Sequence, residues 1–331
     1  MCFPSNLGEH LSIDETSFSN GELYTIVTNK DGHGKKGSLI AMIKGTKSDD
    51  VCRWLLRKLP VGKRRKVKTI TLDMSGSMSR IAKKCFPLAK QIIDRFHVQK
   101  EFKDALQDLR IQYRWQAMEA ENEEIRKCKK EKTEFKAEIF SNGDTRKQLL
   151  ARSRYLLFKK PDKWSVSQRQ RAEILFEQYD DIKQFYYLSL RLGQIYSCNS
   201  KKDEARVKMA LWFNDVEEWE YPQFNTVIKT FTNHYDRILN FFDERLTNAN
   251  AESFNAKIKK LRASFRGVAD VKFFLFRVAK LFARIVKSPR IVTDPIRKKE
   301  PETSNSSLIC WATRIRTRKN RTRICCVTIT P

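Results

Sequence analysis

A change of period constrains this chain more than any other feature. Up to about residue 94, short β-rich runs alternate with turn residues and two helical stretches. From about residue 95 the pattern turns helical and stays so. The strand runs are Leu11 to Phe18, Leu23 to Thr28, Ser38 to Ile43, Lys66 to Asp73 and Ala89 to Asp94, with turn chemistry at Asn29-Lys30-Asp31-Gly32. A helix is predicted after Ser48, taken as its N-cap. Val51, Trp54, Leu55 and Leu59 form its apolar face, and Pro60 and Gly62 stop it. A second helix spans Ser75 to Phe86. The order βββ-α-β-α-β defines an α/β fold around a mixed sheet. Phe102, Leu106, Leu109 and Tyr113 then fall on one helical face. The densely charged 119–138 stretch reads as a solvated helix broken by Ser141-Asn142-Gly143-Asp144. Further helices are expected at 167–179, 180–196, 201–213 and 221–244. A last helical block runs from Ala251 to Val286, with a break at Gly267.

Four segments follow from this pattern. Residues 1–98 begin the core, 99–245 form a helical insertion, and 246–288 return to the core. Residues 289–331 form a Pro-punctuated linker and a tail. The stretch 303–331 has six Lys+Arg, no acid and no amphipathic period, so it is expected to be poorly ordered and dispensable for folding.

Lys+Arg number 66 against 39 Asp+Glu, a formal charge of +27, which favours a polyanionic partner and above all nucleic acid. The chain's 21 Phe and 6 Trp suffice for a real core. Trp164, Trp212 and Trp219 are read as core rather than as base-stacking platforms. No apolar run approaches membrane-spanning length and no signal peptide is seen. The eight cysteines form no C-x-x-C pair, which speaks against a finger-type zinc site and for a reducing cytosol.

Two acids stand where acids are uncommon. Asp14 lies inside the first strand and Asp73 closes the fourth. Asp is depleted in strands, and a charge near a core is costly. In the order above, the first and fourth strands are neighbours, so both carboxylates can reach one site, where bound Mg²⁺ would remove their repulsion. The alternative is that each acid caps a turn or pairs with a lysine. A third candidate, Glu252, falls early in a helix after Thr247 and Asn248, with Asn255 and Lys259 on the same face. That face suits metal plus phosphate, although from spacing alone an ordinary exposed amphipathic helix is the better reading.

The fragments Ile13-Asp14-Glu15, Thr71-Leu72-Asp73-Met74, Phe86-Pro87 and Asp94-Arg95-Phe96-His97-Val98 come in a telling order. They are followed by the run from Asn248 to Lys259 and by Arg262-Ala263-Ser264-Phe265-Arg266-Gly267. In that order and combination the chain, over residues 10 to 285, resembles the DDE transposases of bacterial insertion sequences. The similarity is to the ISL-three group, related to the Mutator-like lineage. The resemblance implies an RNase H-like core with Asp14, Asp73 and Glu252 as a triad holding two Mg²⁺ or Mn²⁺ ions, and a helical insertion before the third acid. Asp94 and His97 match a D-x-x-H signature of that lineage, implying support at the rim of the active site. Asp94 reads equally as the cap of the following helix, with His97 packed in place. Family members usually carry an N-terminal zinc-binding segment and a helix-turn-helix. Those motifs are missing here, so a separate protein would supply them or the chain is a fragment.

Two basic stretches complete the reading. Arg53 to Lys68 holds eight Lys+Arg and no acid, with Lys63, Arg64, Arg65 and Lys66 leading into the fourth strand. Lys257, Lys259, Lys260, Arg262 and Arg266 follow Glu252. Both sets are candidates for tracking a DNA backbone, with a solvated surface as the plain alternative. The expectation is a DNA transposase catalytic subunit that hydrolyses a phosphodiester at an element end and joins the 3′-hydroxyl to target DNA. It would act in the bacterial cytoplasm at the nucleoid, as a homo-oligomer on DNA and without a membrane. A resolvase-type RNase H-like nuclease and a non-catalytic, domesticated DNA-binding protein are the alternatives.

Overall fold

The computed structural model describes residues 1–17, 22–198, 200–244, 249–265, 268 and 270–284. Arg266, the break expected at Gly267, and the linker and tail after 288 lie outside the described residues.

Alternation of apolar and polar residues forms β1 (His10–Ser17), β2 (Leu23–Asn29) and β3 (Leu39–Lys44), which pair as an antiparallel meander. β4 (Thr69–Leu72) joins β1 in parallel, and β5 (Lys90–Ile93) joins β4 in parallel, giving the order β3-β2-β1-β4-β5. Parallel neighbours need crossovers. These are α1 (Ser48–Lys58) with the short α2 (Val61–Arg64), and α3 (Gly76–Cys85). The first helix begins one residue earlier than its predicted cap. Lys47 holds the N-cap position and Ser48 is already helical. The helix ends at Lys58, with Leu59 extended before Pro60 as predicted, because the residue preceding a proline is disfavoured in the helical region; Pro60 then holds the N-cap position of the short α2, which contains Gly62.

The two faces of the sheet are buried by different partners. On one side Leu11, Ile13, Ile70 and Leu72 pack with Val51, Leu55, Met78 and Ile81 of the crossover helices. On the other, Tyr24, Ile26, Leu39 and Met42 pack with Phe254 and Ile258 of α12 (Ala249–Ser264) and with Phe274 and Val278 of α13 (Val271–Phe282). Both edges are covered, which protects unpaired strand groups. Met1 and Phe3 bond the β3 backbone at Met42 and Ile40. Beyond β5, Asn240 Nδ2 donates to Gln91 O at 2.9 Å.

From Arg95 to Glu244 the regular structure is helical, apart from one isolated bridge between Ile139 and Thr145. α4 (Arg95–Glu131) is followed by α5 (Arg146–Arg152), α6 (Val166–Gln178), α7 (Asp180–Ser197) and α8 (Lys202–Glu217). The run ends with α9 (Pro222–Asn233), α10 (Tyr235–Leu239) and α11 (Phe241–Glu244). α4 has 37 residues and measures ~55 Å, leaving the sheet edge and crossing the whole helical region. It stops at Glu131, short of the predicted Glu138. Lys132 turns left-handed, and its N–H bonds Cys128 O, satisfying an end carbonyl. The predicted helix at 221–244 is three helices, interrupted at His234 and Asn240. Both interrupting residues reach the sheet.

The aromatic core behaves as its sequence suggests. Phe102 is fully buried, with its ring 4.9 Å from Trp212 and 5.0 Å from Phe224. Burial of a ring this size contributes about 1.5–3 kcal/mol. Trp164 and Trp219 are half-buried against the same cluster. No described helix is long and apolar enough to cross a membrane, and no described cysteines are joined.

Candidate active site

The register of the parallel strands sets the site. Ser12 pairs with Thr71, so two residues further on Asp14 comes beside Asp73. Leu72 pairs with Ile93, and Asp94 N donates to Leu72 O at 3.0 Å, which brings Asp94 to the same edge. Asp14 thus lies inside β1, while Asp73 and Asp94 directly follow β4 and β5, the two strands that run parallel to it. Carboxyl ends of parallel strands are where α/β sheets form their crevices. Asp73 lies just past β4 rather than within it. Its Oδ1 accepts from Ser75 N at 3.0 Å, and Ser75 Oγ in turn caps α3 by accepting from Met78 N at 3.2 Å. Asp14 Oδ1 accepts from Glu15 N at 2.8 Å.

The edge concentrates negative charge. Burial, then Asp73, then Asp14 push the Glu15 carboxyl above its ordinary value. Lys30, buried in the turn after β2, donates from Nζ to Thr71 Oγ1 at 2.8 Å, beneath the acids. Asp73, Met74 and Ser75 open onto a cleft of ≈ 330 Å³ whose far wall is His97, Lys100, Glu101, Asp104 and Thr230. Burial raises the Glu101 carboxyl, against a hydrogen bond from Thr230. From the end of the helical region, His234 reaches the backbone of Met74 beside Asp73. Burial and the Arg237 guanidinium hold its imidazole below the ordinary value, so it is neutral at pH 7. Arg237 also donates to Ser79 Oγ at 2.6 Å.

The other predicted residues divide. Asp94 is buried and caps α4, accepting from Phe96 N at 3.2 Å. His97 Nε2 sits 3.9 Å from Asp94 Oδ2 and faces the cleft, so capping and rim positions coexist. Glu252 lies in α12, two residues before buried Phe254. That helix packs on the face that carries Ile26, the cross-strand partner of Asp14. The side chains of Glu252 and Asn255 lie outside the described residues. Lys257 Nζ donates to Gly34 O at 2.9 Å, Arg262 Nη1 donates to Ser17 O at 3.5 Å, and Lys259 and Lys260 are exposed.

Lys63, Arg64, Arg65 and Lys66 precede β4 and therefore sit at the opposite end of that strand from Asp73. Lys63 bonds Pro4 O at 3.1 Å, and Arg64 is engaged inside the fold by Leu59 O at 3.1 Å and Cys85 O at 2.7 Å. Among the described residues no group of three or more His, Cys, Asp or Glu forms a ready metal cage.

Sequence reasoning does not single out Lys30, Lys100, Glu101, Thr230, His234 or Arg237. Glu101 and Lys100 are within its reach, since they follow His97 by one helical turn. The others come from turns and helix ends with no local signature.

The site is thus set in an α/β sheet with aspartates in or just after three adjacent parallel strands, flanked by a long helical region. A sequence model of the DDE transposases of the ISL-three group, described as a transposase, matches residues 11–278. The chain belongs to this family. It is also similar to the transposase for insertion sequence element IS1001 of Bordetella parapertussis, with 20% identity over 275 residues. The match covers 83% of this chain and 61% of that relative, so the chain spans about three-fifths of its length.

Proposed function

We propose that this chain is the catalytic portion of a DNA transposase with an RNase H-like core. It cleaves a phosphodiester at an element end and transfers the freed 3′-hydroxyl to target DNA. The carrying observation is the family match spanning most of the chain, together with the parallel pairing of β1, which contains Asp14, with β4, which Asp73 follows. Asp14 and Asp73 offer carboxylate oxygens of the kind that a hard divalent ion takes. In this reading Asp14, Asp73 and Glu252 hold two Mg²⁺ or Mn²⁺ ions. When bound, such ions stabilise charge on the attacking and leaving oxygens of an in-line displacement.

The remaining roles belong to the protein. The Ser75 amide fixes Asp73, and Ser75 is itself anchored as a helix cap, so the carboxylate is held before DNA arrives. Neutral His234 buttresses Met74 without adding charge. His97 and Lys100 offer donors to phosphate on the opposite wall. Neither displacement needs a protein nucleophile, because water and then the DNA 3′-hydroxyl attack phosphorus. End recognition falls to a zinc-binding helix-turn-helix segment, and synapsis to a homo-oligomer on DNA.

The test is nicking of a supercoiled plasmid carrying the element's ends, with Mg²⁺ or Mn²⁺ and the end-recognition partner. Asp73→Asn should lose nicking while keeping DNA affinity, since it removes a charge that repels phosphate and no cation that binds it. Wild-type nicking by Asp73→Asn would reject the catalytic assignment and leave a DNA-binding protein.

A further inference from the structure

The helical region treats its cations in two ways. Some are matched with acids: Arg152 and Arg171 with Asp144, Lys147 with Glu121, Arg146 with Glu138, Arg191 with Asp215 and Lys202 with Asp243. Five others are gathered with one another. Lys103, Arg110 and Arg114 lie on α4 together with Gln107, and at 3.6 residues per turn these positions fall within roughly 60° of arc. Arg154 and Lys160 come from the segment after α5, which packs on that face. Gln107 Nε2 donates to Arg154 O at 3.3 Å.

None of the five makes an ion pair among the described residues. Instead they act on each other. Burial and then the nearby Lys160 lower the Lys103 ammonium. Burial, then Arg114 and Arg154, lower the Arg110 guanidinium to about 10. Arg110 is nearly enclosed, yet its only partners are neutral: Gln107 Oε1 at 2.8 Å and Leu150 O at 2.7 Å. A buried cation without an acid is costly, and fixing it among other cations adds to that cost. A polyanion would offset it. Beside these charges Tyr155 is 65% exposed under the Arg154 guanidinium, 5.5 Å from its ring centroid.

The stripe also has a direction. It begins one turn beyond Lys100, which lines the Asp73 cleft, and reaches Arg114, about 20 Å further along the helix axis at 1.5 Å per residue. Duplex DNA carries a phosphate for about every 1.7 Å of its axis, so such a length spans several phosphates on the near strand.

We propose that the surface formed by Lys103 and Arg114 of α4, with Arg154 and Lys160 beside them, binds the phosphate backbone of duplex DNA flanking the cleft. The identity of the polyanion rests on the transposase reading; the surface itself rests on the unpaired cations. A duplex here is fixed by backbone and carries no sequence preference, so the face positions DNA and leaves end recognition to other parts.

The test measures binding of a plain fluorescein-labelled 30-base-pair duplex against salt, without divalent ions, using the full chain. One variant carries Lys103→Gln, Arg114→Gln, Arg154→Gln and Lys160→Gln. A comparator of equal charge change carries Lys127→Gln, Lys129→Gln, Lys130→Gln and Lys136→Gln, all exposed, at and beyond the far end of α4. The α4 variant should bind at least about tenfold more weakly at 0.15 M salt, with a log–log salt slope shallower by about 0.9 for each phosphate no longer neutralised. The comparator should stay near wild type. A set limited to exposed Arg114, Arg154 and Lys160 guards against misfolding, checked by thermal melting, and should give a proportionate change. Equal losses in both variants, or none in the α4 set, overturn the proposal while leaving the transposase reading intact. Absence of salt-dependent duplex binding by the wild type overturns both.

Discussion

Asp144 follows a short turn and Asp73 follows strand β4, and both carboxylates are anchored by local hydrogen bonds, but their electrostatic surroundings are opposite. Asp144, in the helical region, is 1% exposed and accepts from Arg152, from Arg171 Nε at 2.8 Å and from Asn142 Nδ2 at 3.0 Å. Burial alone would raise its carboxyl; the two arginines outweigh that and hold it below the ordinary aspartate value. Asp73 opens onto a cleft. Its amide donor is Ser75, and its charge adds to that of Asp14 in raising Glu15. No described lysine or arginine forms an ion pair with it. One acid is closed off by matched cations and serves the fold. The other sits at an edge where negative charge accumulates, an arrangement that costs stability and is expected where a ligand will supply the balance.

The comparison breaks most plainly under amide substitution. Asp73→Asn should reduce metal-dependent nicking on the order of 10⁴-fold, the scale seen when an essential catalytic group is removed. Its melting temperature should not fall. Asp144→Asn should do the reverse. It strands two arginines, one of them largely buried, and should cost about 3 kcal/mol in a urea titration, with nicking per folded molecule unchanged. Because the Asp144 carboxyl is lowered, its contribution is present above the unfolded value of about 3.9 and fades as pH falls through the lower folded value. The wild type and Asp144→Asn should therefore converge in stability at strongly acidic pH. If Asp144→Asn also abolished nicking at full folding, the division between the two acids would be wrong.

Divalent cation sharpens the contrast with a smaller effect. An ion that binds only the folded edge stabilises it by about 1.4 kcal/mol at tenfold its dissociation constant. Mg²⁺ or Mn²⁺ should raise the melting temperature of the wild type and of Asp144→Asn alike, and should leave Asp73→Asn unmoved. A thermal shift retained in Asp73→Asn would place the ion elsewhere.

The two acids differ in how their sequence announces them. Asp14 and Asp73 draw attention because Asp is depleted in strands, and because the predicted strand order makes β1 and β4 neighbours. Asp144 reads only as part of a turn, since neither Arg152 nor Arg171 stands at a spacing that marks a pair. The cleft's far wall is illegible for a related reason. His234 and Arg237 reach Met74 and Ser79 across more than 150 residues of sequence, through the packing of a whole helical region that no local period encodes. Nearness in sequence misleads at Lys63 to Lys66. β4 advances about 3.3 Å per residue, so Lys63 to Lys66 lie at the opposite end of that strand from Asp73.

Glu15 offers the smallest and most discriminating test. Its carboxyl is raised, so the fold disfavours the ionised form. The sign is opposite to that at Asp144: Glu15 lowers stability at pH values above its ordinary range, near 4.3, and the penalty disappears once pH falls below it. Glu15→Gln removes the charge and keeps the shape. Since the side chain is half-buried and partly screened by water, the gain at pH 7 should be a few tenths of a kcal/mol, or roughly 1 °C in melting temperature. The gain should vanish below pH 4, where the wild type is protonated. It should also shrink in saturating Mg²⁺, because a cation at the edge would already neutralise the field of Asp14 and Asp73. A drop in melting temperature at pH 7 would mean that Glu15 is stabilised by a matched cation, as Asp144 is, and that the edge carries no surplus of negative charge for a ligand to balance.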